Sequence, residues 1–308
     1  MKPDDSQPRF GISRIHVSGF RTAHDVSFSP GPLCALVGEA DAGKSNLLAS
    51  IRAVLDPVAA PVTATDVAEG GDGRVSIWVG LAGGGEASLE QIPGHDAQLS
   101  GEGAAPSFLF LPATTRAGEV LAVATASNSD ASGAREIFQR ALHHRQPTSA
   151  GRALSLVEAL ENCCTRRIVG QLLLIEEPEL YLRPQAQRYL YRLLREFSMG
   201  GNQAIYSTHS PAFLNVARLD ELVFVERLPG TGTRALQPEP VSADEDFRVM
   251  TEFDAARSEI FLARAVVLVE GLTEKLVLPF VFSALGYDVD REAISIIECG
   301  GKPNIPLF

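Results

Sequence analysis

Lysine is scarce in this chain: Lys2, Lys44, Lys275 and Lys302 are the four present, and arginine supplies almost all the other positive charge. Acids outnumber bases, 38 Asp and Glu against 27 Lys and Arg, for a formal net charge of −11. That balance excludes coating of nucleic acid by bulk electrostatics and confines any DNA contact to a local basic groove. Cysteine is also sparse. Cys34, Cys163, Cys164 and Cys299 form no CxxC pair or regular spacing, so neither a zinc site nor a disulfide framework is expected, and the thiols read as buried. Long apolar runs are missing as well. Leu172 to Ile175 and Ala265 to Val269 fall far short of the roughly 20 residues that span a bilayer. The polar opening Met1 to Pro8 lacks the apolar core of a signal peptide. The expectation is a globular protein of the cytoplasm with no membrane association.

What is present suits a large buried core. With 308 residues and 45% hydrophobic content, the chain can form two ordinary domains or one large one. Short strands are expected at Ile12 to Val17 and Val26 to Phe28. A buried strand at Leu33 to Val37 runs into a glycine-bounded loop and then a helix carrying Leu47, Leu48, Ile51, Val54 and Leu55 on one face, ended by Pro57. From Asp56 to about Gln98 the composition is loop-like, broken by an alternating segment, Val75 to Val79, that suggests an edge strand. A strand at Phe108 to Leu111 precedes a polar stretch, Ser127 to Ser132, and a helix marked by Ile137, Phe138, Ala141 and Leu142.

A helix from Ala153 to about Cys163, the strand Leu172 to Ile175, the helix Gln185 to Phe197 and the strands Ala204 to Ser207 and Leu222 to Val225 follow. Gly230 to Asp246 reads as a loop or domain boundary, after which a helix, the strand Val266 to Val269, another helix and the strand Ile294 to Ile297 begin a second βαβ unit. Strands alternating with helices predict an α/β fold with a largely parallel sheet.

The chemistry begins with Gly38-Glu39-Ala40-Asp41-Ala42-Gly43-Lys44-Ser45, which satisfies the Gly-x-x-x-x-Gly-Lys-Ser phosphate-loop pattern between a buried strand and a helix. Backbone N–H groups and the positive helix end then converge on phosphate oxygens. Lys44 is expected to contact the β and γ phosphates of ATP, and the Ser45 hydroxyl to hold Mg²⁺. A compact ammonium in an arginine-dominated chain fits that requirement. The second constellation is Leu172-Leu173-Leu174-Ile175-Glu176-Glu177-Pro178-Glu179, an apolar strand ending in carboxylates. Glu176 is expected to assist the metal and Glu177 to polarise the attacking water. Further on, Thr208-His209-Ser210-Pro211 places His209 at the C-terminal edge of a strand, where ligands of parallel sheets bind, able to sense or position the γ-phosphate.

The run from Ile12 through Phe20-Arg21 to Gly43-Lys44-Ser45-Asn46-Leu47-Leu48, then Glu176-Glu177-Pro178-Glu179-Leu180, then Ser207-Thr208-His209-Ser210-Pro211, resembles the ABC ATPase of the RecF/SMC-like class. Val267-Leu268-Val269-Glu270-Gly271-Leu272-Thr273-Glu274-Lys275 resembles the opening of a Toprim domain. An ATPase followed by Toprim is the layout of the OLD (overcoming lysogenization defect) nucleases, which include anti-phage enzymes. The resemblance implies a P-loop NTPase of ABC type at 1–262 and the first half of a Toprim domain at 263–308. Gly38, Asp41, Gly43, Lys44, Ser45 and Asn46 would hold nucleotide, and Glu270 and Glu274 a divalent metal such as Mg²⁺ or Mn²⁺ in a nuclease centre.

Two places depart from the pattern. The ABC signature has a degenerate candidate, Thr148-Ser149-Ala150-Gly151-Arg152, ahead of the helix from Ala153. As the signature, it would bring Ser149 and Gly151 to the γ-phosphate of a neighbouring subunit in a head-to-tail homodimer. Toprim domains also use a later Asp-x-Asp pair. Asp288-Val289-Asp290 precedes the second Toprim strand and so reads as a surface loop; either the Toprim half is shortened here or its remainder comes from elsewhere. Three functions therefore stand side by side: an ATPase dimer governing a DNA nuclease, an ATP-dependent switch or scaffold for a partner protein, and a RecF-like repair ATPase.

Overall fold

The computed structural model describes residues 10–93, 95–102, 106–113, 132–144, 149–214, 218–238, 260, 262–302 and 305. In chain order the elements are β1 (Ile12–Phe20), β2 (Ala23–Phe28), β3 (Leu33–Val37), α1 (Lys44–Leu55), β4 (Val75–Leu81), β5 (Glu86–Gln91), β6 (Gln98–Glu102), β7 (Phe108–Leu111), α2 (Ser132–His144), α3 (Ser149–Thr165), β8 (Leu172–Glu176), α4 (Pro184–Met199), β9 (Gln203–Thr208), α5 (Pro211–Leu214), β10 (Leu222–Leu228), β11 (Gly232–Leu236), β12 (Ala265–Val269), α6 (Leu272–Ala284) and β13 (Ile294–Glu298). By internal contact the chain divides into two compact units, Met1–His209 with Leu219–Pro240, and Ser210–Arg218 with Val241–Phe308.

The first unit holds two sheets. One is antiparallel, ordered β2-β1-β4-β5-β6; the other runs β11-β10-β3-β9-β8-β7, with β10, β3, β9, β8 and β7 parallel and β11 antiparallel at its end. Every residue of β3 and β9 is buried, as a parallel strand covered on both faces requires. Helix α1 touches β1, β4 and β5 of the antiparallel sheet and β8 and β9 of the parallel one. Its Leu47, Leu48 and Ile51 are fully buried in the core that both sheets share; truncating one of them to Ala costs about 2–5 kcal/mol at such a site. Gln203 ties the sheets together. Its Nε2 donates to Ile12 O at 2.8 Å and Gly31 O at 2.9 Å, while Oε1 accepts from Ile12 N at 2.7 Å, so a fully buried amide is satisfied.

Three expectations need correction. Val75–Leu81 is not an edge strand, because β5 and β6 continue the sheet beyond it. Those two strands carry one buried apolar residue, Leu89, and β6 is exposed throughout, so the hydrophobic alternation that announces a strand is nearly absent. Gly230 to Asp246, read as a loop or domain boundary, is not all loop, since Gly232–Leu236 pairs with β10, though the division between the two units falls within it. The helix of the degenerate signature starts earlier than Ala153, so Ser149 and Gly151 are the first and third residues of α3. Thr148, most of Ser127 to Ser132 and most of the helix expected before β12 lie outside the described residues.

In the second unit β12 and β13 pair in parallel and α6 connects them, the expected βαβ. None of the residues of α6 is buried; Phe280 is 76% exposed. Asp288 Oδ1 accepts the amides of Asp290 and Arg291 at 3.0 and 3.1 Å, closing a surface turn where the sequence reading places one.

Candidate functional site

Strand order decides which motifs meet. β9 lies between β3 and β8, with Thr208 paired to Val37 and Ser207 to Glu176. Gly38, Glu177 and His209 therefore leave the sheet from adjacent strand ends on one edge, the position at which open α/β sheets bind ligands.

Gly38 runs so close to β10 that a Cβ would stand 2.0 Å from the Val225 carbonyl oxygen, and Gly43 has φ +105° with a Cβ that would meet Thr233 Oγ1 at 2.1 Å. Neither position admits a side chain. Asp41 also lies at positive φ, 63°, and is exposed. Lys44 is buried, its Nζ donating to Gly38 O at 2.7 Å and Glu39 O at 2.6 Å. Burial lowers the ammonium's pKa, against the opposing fields of Glu177, Glu179, Asp41 and Glu39. Ser45 is exposed in the first turn of α1.

Asn46 Nδ2 donates to Thr22 Oγ1 at 2.7 Å and its Oδ1 accepts from Arg21 Nη1 at 3.2 Å. Thr22 Oγ1 in turn lies 2.7 Å from Thr233 Oγ1, which donates to Ala42 O at 3.0 Å. The β1–β2 turn, the phosphate loop and β11 are thus one hydrogen-bonded cluster. A cavity of about 590 Å³ beside it is lined by Arg21, Thr22, His24, Val67 and Arg227 among others. Arg21 is held there by Asp66, Nε to Oδ1 at 2.8 Å.

Across the edge, Glu176 Oε2 accepts from Ala113 N at 3.0 Å. Glu177 has φ 43°, and its N–H reaches Ser207 O at 3.1 Å and Ser207 Oγ at 3.3 Å. Its Oε1 lies 3.3 Å from His209 Nδ1. Glu179, 4% exposed, accepts from Thr208 Oγ1 at 2.5 Å and His209 N at 3.3 Å; burial raises its pKa despite those donors. Sequence reading assigned no role to Glu179, Thr22 or Thr233. A third acid past a strand end reads by default as solvated, and Thr233 is 188 residues or more from every phosphate-loop residue in the chain.

The donor set fits Mg-nucleotide: a loop with no space for side chains at Gly38 and Gly43, a buried ammonium, an exposed hydroxyl at Ser45 and a carboxylate at Glu176. The Toprim segment is different. Glu270 and Glu274 are both exposed, and Glu270 O accepts from Gly301 N at 2.8 Å. Among the described residues no group of three or more His, Cys, Asp or Glu is placed to hold a metal ion. Burial pushes the thiols of Cys34 and Cys163 up to about 12 and that of Cys164 to about 11, which disfavours their thiolates. Among the described residues no helix is long and apolar enough to cross a membrane.

The fold has the architecture of a P-loop NTPase of ABC type. The same architecture occurs in the Smc head bound to the C-terminal winged-helix domain of ScpA (TM-score 0.51, 9% identity, 77% of this chain and 99% of that one). It recurs in a Pyrococcus furiosus Smc head with an extended coiled coil (TM-score 0.51, 9% identity, 79% and 99%). Residues 142–215 match the family described as "AAA domain, putative AbiEii toxin, Type IV TA system", and residues 261–308 match "Overcoming lysogenization defect protein-like, TOPRIM domain". The chain is 41% identical over 142 residues to an OLD nuclease of Thermus scotoductus, covering 44% of this chain and 27% of that protein. It is 30% identical over 141 residues to the Old nuclease of Escherichia phage P2, covering 44% and 24%. These matches fit an OLD-family ATPase with a Toprim segment, and the chain spans about a quarter of the length of the curated relatives it matches.

Proposed function

We propose that this chain binds ATP at Gly38–Ser45 and hydrolyses it, and that the ATPase governs a metal-dependent Toprim nuclease acting on DNA. The observation that carries the ATPase reading is the strand order β3-β9-β8, which sets Lys44, Glu177 and His209 at one sheet edge. Lys44 would exchange its two loop carbonyls for β and γ phosphate oxygens, gaining charge-assisted bonds. Ser45 and Glu176 would hold Mg²⁺, which supplies charge neutralisation on the phosphates when bound. Glu177 would accept the proton of the attacking water, with His209 on its far side positioning the dyad against the γ-phosphate. Arg21, Thr22 and the adjoining cavity would receive the nucleoside.

In this reading the ATPase domain spans 1–262 and the Toprim half 263–308. Ser149 and Gly151 complete a neighbour's site in a homodimer, DNA lies in a local basic groove, and the protein works in the cytoplasm, in anti-phage defence. The test is ATP hydrolysis by the purified chain with Mg²⁺, abolished in Lys44→Ala and Glu177→Gln; failure to bind ATP sinks the reading.

The unburied helix α6, with Phe280 76% exposed, favours a second reading, an ATP-dependent switch whose Toprim segment only docks a partner. Plasmid cleavage with Mg²⁺ or Mn²⁺ by this chain alone, lost in Glu270→Ala, rejects it. ATP-dependent DNA binding without cleavage is the outcome for a RecF-like repair ATPase.

A further inference from the structure

Glu179 is the one acid of the Glu176-Glu177-Pro178-Glu179 run that is buried, 4% exposed. Its Oε1 takes both donors, the Thr208 hydroxyl at 2.5 Å and the His209 amide at 3.3 Å. Its Oε2 is buried with no hydrogen-bond partner among the described residues. Leaving such an oxygen unpaired is destabilising, so the carboxyl is a poor choice for stability alone. What it does geometrically is specific. The stretch after β8 hangs on β9 through Glu177 N to Ser207 O and Oγ, at 3.1 and 3.3 Å. The stretch after β9 hangs on Glu179. The two extensions brace each other, and the residues between the braces are the pair Glu177 and His209, 3.3 Å apart.

From this we infer that Glu179 is a positioning residue: its carboxyl fixes Thr208 and the His209 backbone so that the imidazole faces Glu177. The inference rests on the ATPase reading of the site. Removing the brace frees the end of β9 to move, and displacement of a reacting group by about 1 Å costs on the order of 100-fold in rate. Glu179 reaches Lys44 through its field, while its hydrogen bonds go to Thr208 and His209, so nucleotide binding is expected to change far less than turnover.

Steady-state ATP hydrolysis by the full chain, wild type against Glu179→Ala, Glu179→Gln and Thr208→Val, tests it. The Ala and Val variants are expected to lose roughly 10- to 100-fold in kcat with KM for ATP within about threefold of wild type. Gln keeps a carbonyl acceptor at Oε1 and is expected to recover most of the loss. A wild-type kcat in the Ala variant, a KM effect with kcat intact, or a Gln variant as impaired as Ala overturns the role. Should Glu179→Ala fail to fold, Thr208→Val decides by the same criteria.

A second readout is independent of hydrolysis and separates this inference from the ATPase reading. The His209 imidazole NMR resonances are expected to shift on Glu177→Gln in the wild-type background and not in the Glu179→Ala or Thr208→Val background. Persistence of that shift in both overturns the positioning role, whether or not the wild type hydrolyses ATP.

Discussion

Glu177 Oε1 and His209 Nδ1 face each other at 3.3 Å, although the residues lie on consecutive strand ends separated by a whole helix. Glu177 sits at φ 43°, a left-handed conformation that costs about 1–3 kcal/mol for a residue with a side chain and collects at functional sites. Glu177→Gln keeps the side chain's shape and removes the proton acceptor. The expected outcome is a fall in kcat of about 10²- to 10⁴-fold with ATP affinity retained, measured by nucleotide titration beside steady-state turnover.

Lys44 is enclosed by the loop it serves, with Gly38 O and Glu39 O at 2.7 and 2.6 Å. A planar guanidinium is bulkier and cannot satisfy that geometry. Lys44→Arg is therefore expected to impair ATP binding nearly as much as Lys44→Ala, each weakening it by at least about tenfold in equilibrium titration, the scale of one lost charge-assisted bond.

Thr233 bonds both Ala42 O and Thr22 Oγ1 from a strand far away in sequence. Thr233→Val leaves the buried Ala42 carbonyl without that donor, with an expected loss of about 1–2 kcal/mol of stability by chemical denaturation. Because the loop and the β1–β2 turn are both anchored there, KM for ATP is expected to rise while kcat changes little.

Asp66 supplies a pH test. Burial alone would raise its pKa, but the Thr63 amide, the Thr63 hydroxyl and Arg21 together hold it below the ordinary value. A carboxylate depressed in the fold contributes stability above its unfolded pKa and loses it as pH falls through the folded value. Wild type is therefore expected to lose stability as pH drops below about 4, and Asp66→Asn to start less stable at neutral pH and show a shallower acid loss in that window.

Glu179 has the opposite sign. Its folded pKa is raised, chiefly by burial, so the neutral acid is favoured below the unfolded pKa and that contribution is lost as pH rises through the folded one. Glu179→Gln, neutral at every pH, is expected to gain stability relative to wild type as pH rises above about 4, read from thermal melts at a series of pH values.

Sequence alone determined the elements whose signal is local: the buried strands β3, β7, β8 and β9, the helices α1 and α4, and the phosphate-loop pattern Gly38 to Ser45, because periodicity, glycine spacing and strand-end acids are written in neighbouring residues. The α/β class followed from those, while the OLD-like layout came from resemblance, carried also by the run Val267 to Lys275. Only the tertiary structure decided that β9 inserts between β3 and β8, which no local pattern encodes because any parallel strand order leaves the same buried runs. It also decided that β5, β6 and β11 are strands, since their polar residues pair through backbone hydrogen bonds without apolar alternation. The fate of Glu179 was decided at the same level: burial is a property of what packs around a carboxylate, and Thr208 and His209 reach it from 29 and 30 residues away.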